Sequence, residues 1–176
     1  GAIDVRWFGT KRDGGDATFA LQSALTAAKG GGSVYVPSGQ YTIKQPLRVH
    51  EGTHVYGDGL YSELHYRGPS AGGCLSAVKM ARSQAMGFSR LNVFVHTQGG
   101  WGFDLRGISF GRFDHLSVHL RTEKTAGFYG PGDTRSPYYN VFTGCHISGW
   151  GDHLTNGCVG FDFTYDKAGR QAANAN

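Results

Sequence analysis

The sequence predicts an all-β solenoid, a single-stranded parallel β-helix, closed at its N-terminal end by one α-helix. Three observations carry this. Phe88, Leu91, Val93 and Val95 of FSRLNVFV are matched by Phe113, Leu116, Val118 and Leu120 of FDHLSVHL, each 25 residues on. A second element, GFDL at 102–105, recurs as GFYG at 127–130 at the same spacing. One segment alone, 16–29, has helical periodicity. A coil of short strands and turns repeating at this length cannot bury its apolar side alone and must stack on copies of itself.

The elements follow in order. In DATFALQSALTAAK, Ala17, Ala20, Leu21, Ala24, Leu25 and Ala28 recur at spacings of three and four, with Asp16 or Thr18 as cap and Gly30 as stop. SVYVPSGQYTI then alternates, turns at Pro37-Ser38-Gly39 and alternates again. From there to Asp166 the segments are short, apolar at alternate positions and broken by Gly, Pro, Asp or Ser. A third copy begins at FTGCHISG (142–149), 29 residues after the second, and GFDF (160–163) follows GFYG by 33. The added residues fall in two turns, PGDTRSPY and GWGDHLTN. Inward positions should stack Phe on Phe, and Leu on Leu on Cys. The expected division is an N-terminal strand and capping helix over 1–32, coils over 33–166, and a tail or interrupted coil over 167–176, where the β pattern fades. The solenoid is therefore expected to continue beyond residue 176. An open β-helix end exposes unpaired strand edges, and the helix is placed to cover one.

Composition narrows the function classes. Glycine is abundant (29 residues) and proline scarce (5), while aromatics make up 13%, a balance suited to ordered strands joined by tight turns. The net charge of +4 comes without a basic block, so no nucleic-acid partner is expected, whereas an anionic polysaccharide suits it. No apolar run is long enough to cross a membrane, and no basic-then-apolar leader is visible within the chain, which starts at Gly1. Cys74, Cys145 and Cys158 form no even framework and lack metal-type spacing with histidine. Buried free thiols and no metal site are the expectation.

FDHLSVHL, read as one strand, places His115, Ser117 and His119 opposite its apolar face. Outward residues on successive coils then form two ladders, Phe94–His119–His146 and His96–Arg121–Trp150. Aromatic rings pack on pyranose faces, Arg and His offer directional donors, and His titrates near neutrality. These residues, with Arg135, are the candidate substrate-binding set. A solvated or subunit-buried sheet face is the competing structural reading.

For chemistry, Glu123, Asp133, Asp152 and His153 are the candidate catalytic residues. They lie in or beside the enlarged turns, where insertions in a solenoid gather function. Asp114 shares a turn position with Ser89 and Thr143 and reads as a cap. Asp104 and Asp162 read as outward strand residues in one ladder with Tyr129. No catalytic pair is fixed by spacing, so hydrolase and lyase both stay open.

The N-terminal stretch resembles the opening of the pectate-lyase superfamily of right-handed parallel β-helices (the pectin-lyase-like fold). The residues that carry the resemblance are Asp4, Val5, Phe8, Gly9, Asp13, Gly14, Thr18, Ala20, Leu21, Gln22, Ala24, Leu25, Gly31, Gly32, Val34, Tyr35, Val36, Pro37, Gly39 and Tyr41, and HVYGDG (54–59) resembles the next coil. Arg12 departs from it, standing where glycine is usual. The resemblance implies carbohydrate-active chemistry on a shared scaffold. Its first implication is a phage tailspike-like depolymerase, a homotrimer in the virion tail or outside the cell that binds and cleaves a bacterial surface polysaccharide. The alternatives are a non-phage uronate lyase or epimerase, for which calcium would be the expected cofactor, and a structural or adhesive β-helix without catalysis. For the first reading no cofactor is expected.

Overall fold

Residues 1–78, 83–131, 139–149 and 157–163 are described by a computed structural model. Their strands form three large all-parallel sheets and a parallel pair, Ser83–Gln84 with Ile108–Ser109. Sheet I contains Ile3–Asp4, Ser33–Val36, His54–Gly57, Gly87–Ser89, Arg112–Asp114 and Val141–Thr143, hydrogen-bonded in that order. Sheet II contains Asp13–Asp16, Gly39–Ile43, Ser62–Tyr66, Asn92–Val95, Ser117–Leu120 and His146–Gly149. Sheet III contains Leu47–Val49, Gly73–Ala77, Trp101–Asp104, Ala126–Tyr129 and Val159–Asp162. After the first coil, where the helix takes the place of a sheet III strand, each coil contributes one strand to each large sheet in turn, the architecture of a parallel β-helix. Phe88 pairs with Phe113 and Phe113 with Phe142, Val93 with Val118 and Val118 with Ile147, as the repeat requires.

FDHLSVHL is not one strand. It leaves sheet I at Asp114, bends at His115 (φ 47°) and enters sheet II at Ser117. His115 therefore stands at a corner, exposed, and does not share a face with His119. Each corner of the coil carries a left-handed residue, repeated from rung to rung. Between sheets I and II these are Gly59, Arg90, His115 and Gly144; between II and III, Ala71, Gly99, Lys124 and Gly157; between III and I, Gly52, Ala85, Phe110 and Tyr139, with Gly107 as a second left-handed residue. A single left-handed residue turns the chain sharply from one sheet to the next, which an unbroken run of extended residues cannot do.

The interior is aromatic. Phe88, Phe113 and Phe142 stack at centroid spacings of 5.3 and 4.7 Å. Phe103, Phe128 and Phe161 form a second stack at 5.1 and 4.9 Å. The two stacks meet edge to face, as between Phe113 and Phe128 at 86°, so ring edges of one column point at ring faces of the other. Gly102 and Gly127 make room for this: a Cβ on Gly102 would lie 2.9 Å from the Gly127 carbonyl oxygen and from Val118.

The helix spans Thr18–Ala27, shorter than 16–29 at both ends, because Asp13–Asp16 is a strand of sheet II and the last helical turn ends at Ala28. Asp16 receives both the backbone N–H and the hydroxyl of Thr18. Leu21, Ala24 and Leu25 are buried in one cluster with Val34, Val36, Leu47 and Val49. The helix also closes the edge of sheet III. Arg48 N–H donates to Gln22 Oε1 at 2.8 Å, and Gln22 Nε2 donates to the Arg48 carbonyl at 3.1 Å. A side-chain amide thus supplies what a preceding strand would have supplied. The departure at Arg12 is absorbed locally: its side chain lies across Gly39, where a Cβ would approach Arg12 Cβ to 2.5 Å.

Candidate functional site

The outer face of sheet II carries the densest set of titratable groups. Leu64, Tyr66, Val93, Val95, Val118 and Leu120 point into the core, so Glu63, His65, Asn92, Phe94, Ser117 and His119 point out. Strand register builds two rows across the coils. One reads Gln40–Glu63–Asn92–Ser117–His146, the other Thr42–His65–Phe94–His119–Ser148. Arg67, His96 and Arg121 follow immediately at the strand ends, tied by His96 N–H to the Tyr66 carbonyl and Arg121 N–H to the Val95 carbonyl.

This corrects one expected ladder. His146 does not sit above His119; the 29-residue step that places Ile147 on Val118 also places Ser148 on His119, and His119 Nδ1 meets Ser148 Oγ at 2.7 Å. His146 is exposed and lies beside Ser117. Trp150, Asp133, Arg135, Asp152 and His153 lie outside the described residues, as do residues 164–176.

Three residues that spacing alone did not pick out, Glu63, His65 and Arg67, complete the face. The alternation Ser62-Glu63-Leu64-His65-Tyr66-Arg67 marks them as outward, but the 29-residue step from His65 to Phe94 hid them from the 25-residue repeat. Glu63 Oε2 lies 2.9 Å from His65 Nε2 and accepts a bond from Gln40 Nε2 at 3.0 Å. His65 Nδ1 lies 3.0 Å from His96 Nε2. An ionised carboxylate only accepts, so Glu63 assigns the proton of a neutral His65 to Nε2. His65 Nδ1 is then the acceptor and His96 Nε2 the donor. That leaves His96 Nδ1 with its lone pair unused within the chain of bonds.

Burial, followed by the charges of Arg67, His65 and Arg121, pushes the pKa of His96 down to about 4. The imidazole is neutral at pH 7 and able to accept a proton. His119 is shifted down for the same first reason, burial, with Arg121 adding to it.

Phe94 does not offer a ring face to solvent. It is sandwiched between His65 and His119, each at 4.5 Å, is only 9% exposed, and has the Arg121 guanidinium 5.2 Å from its centroid. Its work is spacing: it holds the two imidazoles on parallel planes and seats Arg121. The face is therefore one of imidazole, guanidinium and carboxylate, and not a stacking platform.

Other expected residues sit elsewhere. Glu123 lies in the turn after sheet II, with Gln98 Nε2 at 3.5 Å from its Oε2. Asp114 is bonded to His115 Nδ1 at 2.9 Å. Asp104 faces outward yet is buried, because Arg106 pairs with it at 2.8 Å and lies over Trp101 and Tyr129, themselves stacked at 3.8 Å. That closes the outer face of sheet III. All three cysteines are free; Cys74 is buried, whereas Cys145 and Cys158 are half-buried because fewer described residues cover the last coil. Among the described residues no group of three or more His, Cys, Asp or Glu is arranged to hold a metal ion, and no helix is long and apolar enough to cross a membrane.

Comparison with solved structures finds the same fold in three settings. Geobacillus virus E2 ORF18 is similar with a TM-score of 0.70 at 22% identity, over 86% of this chain and 38% of that one. The A-module of the Azotobacter vinelandii mannuronan C-5 epimerase AlgE6 is similar with a TM-score of 0.60 at 20% identity, over 83% and 44%. The Streptococcus pneumoniae surface protein and adhesin PfbA follows at 0.53 and 15%, over 82% and 42%. The chain thus spans less than half the length of each. Sequence comparison reaches further than fold: residues 2–127 match the rhamnogalacturonase A/epimerase, pectate lyase-like family, and the chain belongs to that family.

Proposed function

We propose that the outer face of sheet II binds an acidic polysaccharide and that His96 acts there as general base on a uronic-acid unit. The observation that carries this is the Glu63–His65–His96 chain of hydrogen bonds set between Arg67 and Arg121. Guanidinium groups pair with a sugar carboxylate and stabilise the negative charge that develops when the adjacent carbon loses its proton. That proton is the one a neutral imidazole can take.

In the eliminating form of the reaction His96 Nδ1 takes the proton α to the carboxylate. The C–H electron pair becomes the new C=C bond, and the glycosidic C–O bond β to it breaks. Its electron pair leaves with the oxygen, which takes a proton from water. In the epimerising form His96 keeps the abstracted proton, water delivers a proton to the opposite face of the carbanion, and no bond to oxygen breaks. Binding tunes the base: a carboxylate that pairs with Arg67 and Arg121 removes part of the positive field acting on His96, so its basicity rises as substrate arrives.

A tailspike-like depolymerase in a virion tail or outside the cell, working as a homotrimer, is the setting we infer. The fold shared with a viral protein and a surface adhesin supports the location. Sedimentation of the purified chain tests the trimer, and activity before and after chelation tests for calcium.

The deciding experiment incubates the chain with capsular and other uronate polysaccharides. Reducing ends, ultraviolet absorbance and the proton spectrum of the product are followed together. Reducing ends with absorbance mark elimination; a changed anomeric spectrum alone marks epimerisation. Glycan binding with neither, or full activity in His96→Ala, overturns the catalytic reading.

A further inference from the structure

The corner between sheets III and I bears a feature that folding does not require. Ala85, Phe110 and Tyr139 occupy it on successive coils at φ 58°, 58° and 52°. On the coil before Ala85 the same position is Gly52, at φ 72°. The ladder thus runs from glycine and alanine into two aromatic residues, in a conformation that bulky side chains disfavour. Both rings are also wet: Phe110 is 52% and Tyr139 67% exposed. They stack on each other at 5.2 Å and 16°. Asn140 fixes the turn that carries Tyr139 to the turn that carries Phe110, accepting from Gly111 N–H at 2.7 Å and donating to the Ile108 carbonyl at 2.9 Å. The pair is held out into solvent by construction.

Beside it, on the outer face of sheet I, lies a groove of about 440 Å³. Gly87 forms its floor, and the His54 ring lies across that glycine; a Cβ there would come within 2.7 Å of His54 Cδ2. His54 Nε2 meets Ser89 Oγ at 2.9 Å, and each retains further hydrogen-bonding capacity. Arg112 is exposed at the rim, while the nearby Asp114 carboxylate is engaged by His115. On the coil below Phe110 the same corner position is Ala85, and both residues line the groove.

We propose that this groove is a second glycan-binding site, separate from the sheet II face. It takes one pyranose unit of an anionic polysaccharide. The apolar side of the sugar ring lies on Phe110, its anionic group on Arg112, and its hydroxyls on His54 and Ser89. Aromatic wall, polar floor and one cation in a pocket of this size are what a sugar site needs. The ligand class rests on the glycan reading above; the site does not depend on the chemistry of His96.

The test uses the full chain carrying His96→Ala, so that no substrate is turned over, titrated with oligogalacturonate and oligomannuronate of about five units. Adding Phe110→Gly keeps the left-handed turn and relieves its strain, so the melting temperature holds or rises. Oligouronate affinity at this groove falls about tenfold. Tyr61→Ala, which removes an exposed ring elsewhere, leaves affinity unchanged. Equal affinity with and without Phe110→Gly overturns the proposal, as does failure of every oligouronate to bind. So does a change of sedimentation in Phe110→Gly, which would make the aromatic pair a subunit contact. Phe110-dependent binding without turnover by the wild-type chain retains this site and removes the His96 chemistry; turnover with Phe110-independent binding does the reverse.

Discussion

His65 Nδ1 and His96 Nε2 face each other at 3.0 Å across two coils, and Glu63 holds the far nitrogen of His65 at 2.9 Å. Glu63 and His65 are two residues apart on one strand, whereas His65 and His96 are 31 apart, so the relay is complete only once the coils are stacked in register.

This relay predicts a graded series. Removing the base in His96→Ala lowers kcat by about two to four orders of magnitude. Glu63→Gln keeps the shape but reverses one donor–acceptor assignment, since an amide can also donate. Its kcat falls less, by about tenfold, with KM nearly unchanged. Steady-state kinetics on the polymer that the wild-type chain cleaves or epimerises checks the order; equal losses in KM alone would contradict it.

The charges around His96 make a second prediction. Replacing Arg67 or Arg121 by Gln removes one of the fields that lower its pKa, so the His96 titration moves up from about 4 toward the ordinary histidine value. Proton-detected histidine spectra against pH report this directly. The same variants weaken polysaccharide binding and flatten its dependence on salt.

Acid should destabilise the fold in a defined window. His96 has a folded-state pKa near 4 against an unfolded value of 6.5, and His54 and His119 are shifted in the same direction, chiefly by burial. The unfolded chain therefore binds more protons between these values. Stability is fully present above pH 6.5 and is lost as pH falls toward about 4. Thermal melts from pH 7.5 to pH 4 should show a falling midpoint, and His96→Gln should fall less steeply.

Gln22→Ala removes both bonds to the Arg48 backbone. The groups left behind reach water, so the expected loss is about 1 kcal/mol. The larger effect is on association: the Leu47–Val49 edge becomes available to another chain, and light scattering on warming should begin at lower temperature.

Phe128 meets Phe103, Phe113, Phe142 and Phe161. Phe128→Ala should cost about 3–5 kcal/mol, which urea unfolding measures; Phe128→Leu should lose roughly half of that. A loss under 1 kcal/mol for the alanine variant would mean that the aromatic columns are not what holds the coils together.

The order of coils, the inward set and the helical cap were determined by the sequence itself. Phe88 and Phe113, Val93 and Val118, and Phe103 and Phe128 repeat because stacked coils put equivalent residues 4.8 Å or so apart, and only like shapes pack well at that spacing. Local alternation sufficed to tell inside from outside within each strand. Tertiary structure alone decided the rest. A corner needs a single residue to change its dihedrals, and neither His115 nor Phe110 announces this by type, so the split of FDHLSVHL and the exposed Phe110–Tyr139 pair followed only from the backbone. The partners of His96 depended on how far each coil is displaced along the chain. Unequal turns shifted His146 away from His119 and brought Glu63, His65 and Arg67 to the site, because neighbours across a sheet are set by hydrogen-bond register and not by a constant count of residues.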